Sequence, residues 1–253
     1  MTGAEIPQDA ASPETPETDP ESDAALIGAL AETESEPVRR ALLTRMMDSG
    51  KRAGGMVTGR GVWSLEALTN RIVRLAPELT VNSGAALRKR YPGRGPDQIA
   101  DELIARAARA AAAVGAATGA AAFLPIPFAW PVELATESVV VIGIEIKLVA
   151  ELHEVYDTPV GGAPRERALA YVGAWAQQRG AVAPADATIA AGSVAAKRLR
   201  RRIALRTGRD LVSLGPLLSG AALGAAMNHH ETRRLGRRMK RDLRRRVVIE
   251  PPQ

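Results

Sequence analysis

The chain has 253 residues, of which 46% are hydrophobic and only 3% aromatic, and its formal net charge is +6. That length is enough for a sizeable core that needs no covalent staples. The complete lack of cysteine excludes disulfides, thiol catalysis and cysteine-ligated zinc, and it is compatible with a reducing, cytoplasmic compartment.

The N-terminal segment is strongly acidic. Ten Asp and Glu residues and no Lys or Arg lie between Met1 and Glu36, a net charge of −10. Residues 1–23 contain four prolines and few large apolar side chains, too little to offset the entropy of ordering the chain. We therefore predict a disordered acidic arm over residues 1–33, which either aids solubility or folds back on the basic C-terminus. We expect no secretory signal, because acidic and polar residues follow Met1.

A helix and a glycine-rich linker are predicted over residues 34–62. The stretch "SEPVRRALLTRMMDSG" has Pro37 in a first helical turn and Gly50 as a stop. The glycines from Gly50 to Trp63 resemble a phosphate-binding loop, but Arg60 and Gly61 stand where such a loop needs Lys and Ser or Thr. We therefore interpret this stretch as a linker.

Between residues 63 and 246 the sequence predicts helices and shows no strand alternation of useful length. The helix that runs to Leu124 is stopped by Pro125, and the next ends around Asp157, which makes an Ala/Gly-rich helix hairpin. The predicted starts lie at Pro96, near Pro131, and at Pro164 and Pro184. We predict an all-α multi-helix bundle of seven to nine helices, followed by a tail over residues 247–253.

Two uncharged runs raise the question of membrane insertion. The helical part of the first, Ala110 to Leu124, would be roughly 22 Å long against a hydrocarbon core of ~30 Å. The second, Leu211 to His230, is divided by Pro216. We therefore expect helices that pack on one another or dip partway into a bilayer, rather than independent spans.

Small residues recur at a spacing of four in both runs. Gly115 and Gly119 form one such pair, and Gly220 and Gly224 form another. This spacing allows helix backbones to approach closely, in membranes or in tight soluble bundles.

A carboxylate interrupts the apolar stripe of the second long helix. At about 100° per residue, Glu145 falls in the middle of the stripe formed by Leu134, Val141, Leu148, Leu152 and Tyr156. Burying it alone would cost several kcal/mol, so it must be paired, protonated or next to a polar cavity. It is either a structural anchor to an Arg or to Asn228, or a polar group lining a ligand cleft. Ordinary surface positions are expected for Glu133, Glu137 and Glu151.

Catalytic patterns are scarce. His153 begins "HEVYD", which lacks the second histidine of a zinc-binding HExxH. His229 and His230 are adjacent, and neighbours on a helix point about 100° apart, which makes a poor chelate. There is no GxSxG, so we expect a non-enzymatic protein with no cofactor and no metal site.

The C-terminal segment is strongly basic. Residues 197–246 carry sixteen Lys and Arg against three acidic residues, a net of +13. An apolar residue recurs every fourth position among the arginines: Leu235, Met239, Leu243 and Val247. A narrow apolar stripe on a cationic helix is typical of an anionic membrane surface. The alternatives are nucleic-acid binding, and a stripe that packs on the bundle while the charges face water.

Four segments together resemble the bacterial EcsC family and related helical proteins. They are "YPGRGPDQIADELI", "GAATGAAAFLPIP", "EIKLVAELHEVYD" and "GAALGAAMNHHETRRLGRR", within Tyr91 to Arg238. Relatives usually end the third segment in Tyr-Gly, whereas Asp157 follows Tyr156 here, so Glu151 and Tyr156 are the matched positions. The resemblance implies an α-helical, membrane-associated protein without an established catalytic activity.

These patterns predict a lipid-binding surface at the cytoplasmic face of the plasma membrane. An apolar wedge at the proline turn would consist of Phe123, Phe128 and Trp130, because large rings suit the boundary between apolar and polar phases. The predicted head-group ligands are Arg233, Arg234, Arg237 and Arg238. The expected partner is an anionic membrane or a membrane protein, and the alternative is nucleic acid.

Overall fold

The computed structural model describes residues 20–55, 65–121, 130–179 and 216–249. These residues form α-helices and no strand, which confirms the predicted all-α multi-helix bundle. The helices are α1 (Pro20–Glu32), α2 (Glu36–Gly55), α3 (Leu65–Leu75), α4 (Gly84–Arg90), α5 (Pro96–Ala121), α6 (Trp130–Val155), α7 (Pro164–Gln178) and α8 (Pro216–Ile249). A short 3₁₀ turn, Ala76–Glu78, follows α3.

Proline begins several of these helices, because the first helical turn does not need its missing N–H. The predicted starts at Pro96 and Pro164 are confirmed. The residue before each of these two prolines donates its backbone N–H to a side chain one turn ahead, Gly95 to Gln98 and Ala163 to Glu166, both at 3.1 Å. The predicted start at Pro184 lies outside the described residues.

Helix α6 is the centre of the bundle. Every residue from Thr136 to His153 is buried, and α6 contacts each of the seven other helices that the structure describes. Because the helix has no outer face over this stretch, its polar residues must find partners inside the protein.

Helices α5 and α8 pack along their small residues. A methyl group added to Gly115 or Gly224 would lie less than 3.0 Å from the carbonyl oxygen of the other glycine, and one on Gly119 would equally collide with Gly220. Glycine is therefore required for this approach. Towards the other end of the same pair, Lys240 contacts Asp101 at 2.8 Å.

The prediction of disorder over residues 1–33 is wrong for residues 20–32. Those residues form α1, and its apolar side enters the core, with Ile27 1% and Leu30 0% exposed. The cluster "AALIGAL" supplies enough apolar surface to order the helix despite its acidic flanks. Residues 1–19 lie outside the described residues.

The acidic side chains of α1 pair with neighbours in the bundle. Asp23 contacts Arg71 at 2.7 Å, and Glu32 contacts Arg90 and Lys147. The fold-back onto the basic C-terminus is therefore not seen for these two carboxylates.

The predicted boundaries near Gly50 and Arg246 also change. Helix α2 continues to Gly55, so Gly50 does not stop it, and α8 continues to Ile249. Leu42 and Met46 of α2 belong to the same core as α5 and α6, because the apolar side of α2 also needs cover. The helix of residues 34–62 is therefore part of the bundle, whereas residues 56–64 lie outside the described part.

Candidate functional site

The apolar stripe of α8 faces the core. Leu235, Met239 and Leu243 are buried, and Val247 is half-buried against the same cluster. This contradicts the interpretation of the stripe as a membrane-inserting surface. The stripe packs on the bundle because α5 and α6 offer it a complementary apolar surface within the same chain.

The opposite side of α8 is a row of arginines. At about 100° per residue, these side chains fall within about 120° of arc and extend roughly 18 Å along the helix. We call this row the arginine ridge; it comprises Arg233, Arg234, Arg237, Arg241 and Arg245, all exposed. Within the described part of the chain, none of the five has a hydrogen-bond or ion-pair partner. Three of them belong to the predicted head-group ligands, whereas Arg241 and Arg245 were missed.

Other cations of α8 point back to the bundle. Arg238, the fourth predicted ligand, is half-buried and donates to the backbone carbonyl of Gln178 at 3.2 Å. Lys240 and Arg244 pair with Asp101 and Asp97 of α5. These contacts fix the orientation of α8 about its own axis. The arginine ridge therefore faces outward.

The predicted aromatic wedge falls almost wholly outside the described residues. Phe123 and Phe128 lie between α5 and α6, in a stretch that the structure does not describe. The backbone of Trp130 begins α6, but its side chain is outside the described part. The wedge remains a prediction.

Glu145 is completely buried, and both of its oxygens accept hydrogen bonds. The Trp175 Nε1–H donates to Oε2 at 2.9 Å, and the Thr232 hydroxyl donates to Oε1 at 2.7 Å. Arg179 at the end of α7 forms a salt bridge with Oε1. Of the two interpretations, the geometry favours the structural anchor to an Arg, because donors from α7 and α8 meet on this one carboxylate of α6.

Asn228 is also buried, but its partner is a different carboxylate. The Asn228 side-chain amide donates to Glu137 Oε1 at 3.0 Å, not to Glu145. The surface positions predicted for Glu137 and Glu151 are wrong, since both are buried. They lie on the flanks of the apolar stripe of α6, and those flanks are covered by other helices. The side chain of Glu133 lies outside the described part.

One buried lysine was not predicted from the sequence. Lys147 is 2% exposed, and its ammonium contacts Glu151 at 2.7 Å and Glu32 at 3.2 Å. Burial alone would raise the pKa of Glu32, but the hydrogen bond from Asn82 and the charge of Lys147 outweigh it and lower the pKa below its ordinary value. The i,i+4 spacing of Lys147 and Glu151 on one helix was the available signal.

Tyr156 directly follows α6 and ties its C-terminal end to α5. Its hydroxyl donates to Asp97 of α5 at 2.6 Å, and burial together with this hydrogen bond raises the pKa of the phenol. Glu151 is held to the segment before α4, where the Asn82 side-chain amide donates to it at 2.6 Å, so both residues fasten α6 to its surroundings.

His153 is buried and packs on an aromatic ring. Its ring lies 5.2 Å from that of Tyr171, and its Nδ1 is 2.8 Å from the Val149 carbonyl oxygen, to which it donates. Burial lowers the pKa of His153 and outweighs the hydrogen bond to Val149, which acts in the opposite direction. No cluster of three or more potential metal ligands occurs within the described ranges.

Among residues 20–55, 65–121, 130–179 and 216–249, no helix has both the length and the apolarity that crossing a bilayer requires. No protein-family model, curated protein or solved structure matches the chain.

Proposed function

We propose that this protein is a non-enzymatic, EcsC-like helical protein that binds the anionic surface of the plasma membrane at its cytoplasmic face through the arginine ridge. The observation that carries this proposal is the ridge itself. Five exposed arginines without acidic partners in the described structure share one side of a helix, and the other side of that helix is fixed in the core.

The chemistry of the ridge suits phosphate head groups. Arginine is always charged at neutral pH, is weakly hydrated, and donates two parallel hydrogen bonds to a phosphate. Each Lys or Arg close to an anionic leaflet contributes about 1 kcal/mol. Because the ridge is held on a packed helix, little ordering of the backbone is needed on binding.

This mechanism differs from the one that the sequence predicts. The stripe of Leu235, Met239 and Leu243 is committed to the core, so α8 adsorbs by charge and does not insert its apolar side. The resemblance of the four segments to the EcsC family supports a membrane-associated role. The cysteine-free composition supports the cytoplasmic side.

The test is co-sedimentation with phosphatidylglycerol–phosphatidylcholine vesicles. We expect the full chain to pellet with these vesicles and to remain in solution with phosphatidylcholine alone. In the ridge variant, four arginines are replaced by glutamine: Arg233, Arg237, Arg241 and Arg245. At about 1 kcal/mol for each arginine, the ridge variant should bind at least about a hundredfold more weakly.

A control variant removes the same charge elsewhere. It replaces four exposed cations that have no partner in the described structure: Arg74, Lys89, Arg165 and Arg167. We expect the control to bind vesicles almost as the unaltered chain does. Equal losses in both variants, or no binding of the unaltered chain, would contradict the proposal.

Nucleic acid is the second candidate, because an exposed row of arginines about 18 Å long also neutralises successive phosphates of a duplex. Binding of that kind weakens steeply as salt rises, owing to counterion release. A duplex that shifts in a gel with the unaltered chain but not with the ridge variant, together with no vesicle binding, would favour this candidate.

A further inference from the structure

A cleft of about 510 Å³ lies between the C-terminal end of α7 and the flank of α8. Its polar lining includes Arg179, Glu231, Arg234 and Arg238, and its apolar lining includes Met227 and the largely buried Leu235. The volume is within the range of small-molecule sites, which combine apolar lining with a few converging polar groups. The arginine ridge contributes Arg234, so the cleft opens beside the ridge.

The charges in the cleft are unequally balanced. Arg179 already pairs with Glu145 and, at 3.5 Å, with Glu231. Arg234 has no partner in the described structure, and Arg238 donates only to the neutral carbonyl of Gln178 there. Two guanidinium groups one helical turn apart are thus without a carboxylate partner in the described part of the chain.

We infer that this cleft binds a phosphomonoester attached to a small apolar or glycerol-like body. A phosphomonoester carries at least one full negative charge at neutral pH and presents three terminal oxygens, one more than a phosphodiester. Its oxygens can accept paired hydrogen bonds from both arginines. Met227 then lies against the carbon skeleton. This inference rests on the proposed membrane function, since it names the head group that the ridge would select.

Two sources share this chemistry: a membrane lipid with a monoester head group, and a soluble phosphorylated metabolite. The first arm of the test is calorimetric titration of the full chain with glycerol 3-phosphate. The second is co-sedimentation with vesicles that contain phosphatidic acid, compared with phosphatidylglycerol vesicles adjusted to the same surface charge.

The variants Arg234→Gln and Arg165→Gln make a matched pair. Both residues are exposed arginines without a described partner, and only Arg234 lines the cleft. Arg234→Gln should weaken binding of glycerol 3-phosphate about tenfold, the loss expected for a charge-assisted contact, whereas Arg165→Gln, outside both the ridge and the cleft, should leave it unchanged. Equal thermal unfolding of both variants and the unaltered chain would show that the fold is intact.

The outcomes separate the sources and the two proposals. A preference for phosphatidic acid that Arg234→Gln removes and Arg165→Gln keeps supports the lipid source. Glycerol 3-phosphate binding that is sensitive to Arg234→Gln, without such a preference, supports a soluble ligand. If glycerol 3-phosphate binds but vesicles do not, the membrane proposal is overturned and the cleft proposal stands. If neither glycerol 3-phosphate binding nor a lipid preference is found, the cleft proposal is overturned, even when phosphatidylglycerol vesicles bind.

Discussion

Glu145 and Glu137 place two carboxylates inside the bundle, two helical turns apart on α6. Each is met by donors from other helices: Glu145 by Trp175, Arg179 and Thr232, and Glu137 by Asn228. A buried charge adds little net stability relative to an apolar residue, but removing one partner leaves the other without compensation. The hydrogen bonds therefore select one arrangement of α6, α7 and α8.

Replacing Glu145 with glutamine should destabilise the fold. The amide keeps the shape but leaves the largely buried Arg179 without its main counter-charge, so we expect the free energy of unfolding to fall by about 3 kcal/mol. Urea denaturation followed by circular dichroism measures it. As a control, Asp101→Asn removes an exposed partner of Lys240 and should cost less than about 1 kcal/mol. Similar losses in the two variants would show that the Glu145 network is not an anchor.

The lowered pKa of His153 makes a prediction about pH. Above a pH of about 6.5 the residue is neutral in both the folded and the unfolded chain. Below that pH the unfolded chain takes up a proton that the buried ring resists, so stability falls, by at most about 1.4 kcal/mol for each pH unit, until the pH passes the folded pKa. We expect His153→Asn to flatten this dependence, because its amide keeps the donor to Val149 and does not titrate.

The measurement for His153 is the free energy of unfolding between pH 5.5 and 8. The difference between the two profiles isolates His153, because every other titratable group is common to both proteins. If the unaltered chain and His153→Asn show parallel pH profiles, the buried ring does not oppose protonation.

At the scale of single residues, the helical period predicts some positions and misses others. Glu145 lies in the middle of an apolar stripe, so its position implies burial. Glu137, Lys147 and Glu151 lie off that stripe and are buried because α6 is surrounded on all sides. Periodicity reports one face of a helix, and it cannot reveal that other helices also cover the remaining faces.

Among the described helices, α5 and α8 meet through the backbones of their glycines. Small residues at a spacing of four predict a close approach of backbones, and the glycines of the two helices face each other in the structure. The pairing of Gly115 with Gly224 could not be predicted, since the spacing names no partner. The close contact aligns α8 on α5, and the ion pairs of Lys240 and Arg244 continue that alignment towards the arginine ridge.

Gly224→Ala should separate these two helices. The added methyl group would collide with the Gly115 carbonyl, and both sides of the contact are backbone, so we expect a loss of about 2 kcal/mol in the free energy of unfolding. In contrast, Gly28→Ala in α1 meets no atom within 4 Å and should be neutral or stabilising by up to about 1 kcal/mol. A Gly224→Ala protein as stable as the Gly28→Ala protein would refute the close packing.

On the scale of the whole molecule, composition misleads at the N-terminal end of the chain. The acidic charge and prolines of residues 1–23 predict disorder, yet a short apolar cluster was enough for α1 to enter the core. Helix α8 has two different sides. Its inner side completes the core, and over roughly 18 Å its outer side presents arginine.

This division of α8 predicts salt-reversible membrane binding. The screening length falls from about 10 Å at 0.1 M salt to about 3 Å at 1 M, so exposed arginines lose their long-range attraction to head groups. We expect the full chain to pellet with phosphatidylglycerol vesicles at about 0.1 M salt and to be released at about 1 M, with unchanged helical circular dichroism. Insertion of Leu235, Met239 and Leu243 would instead require α8 to leave the core, because these side chains cannot face the lipid and α5 together. Protein that stays on the vesicles at 1 M salt would therefore contradict the charge-only mechanism.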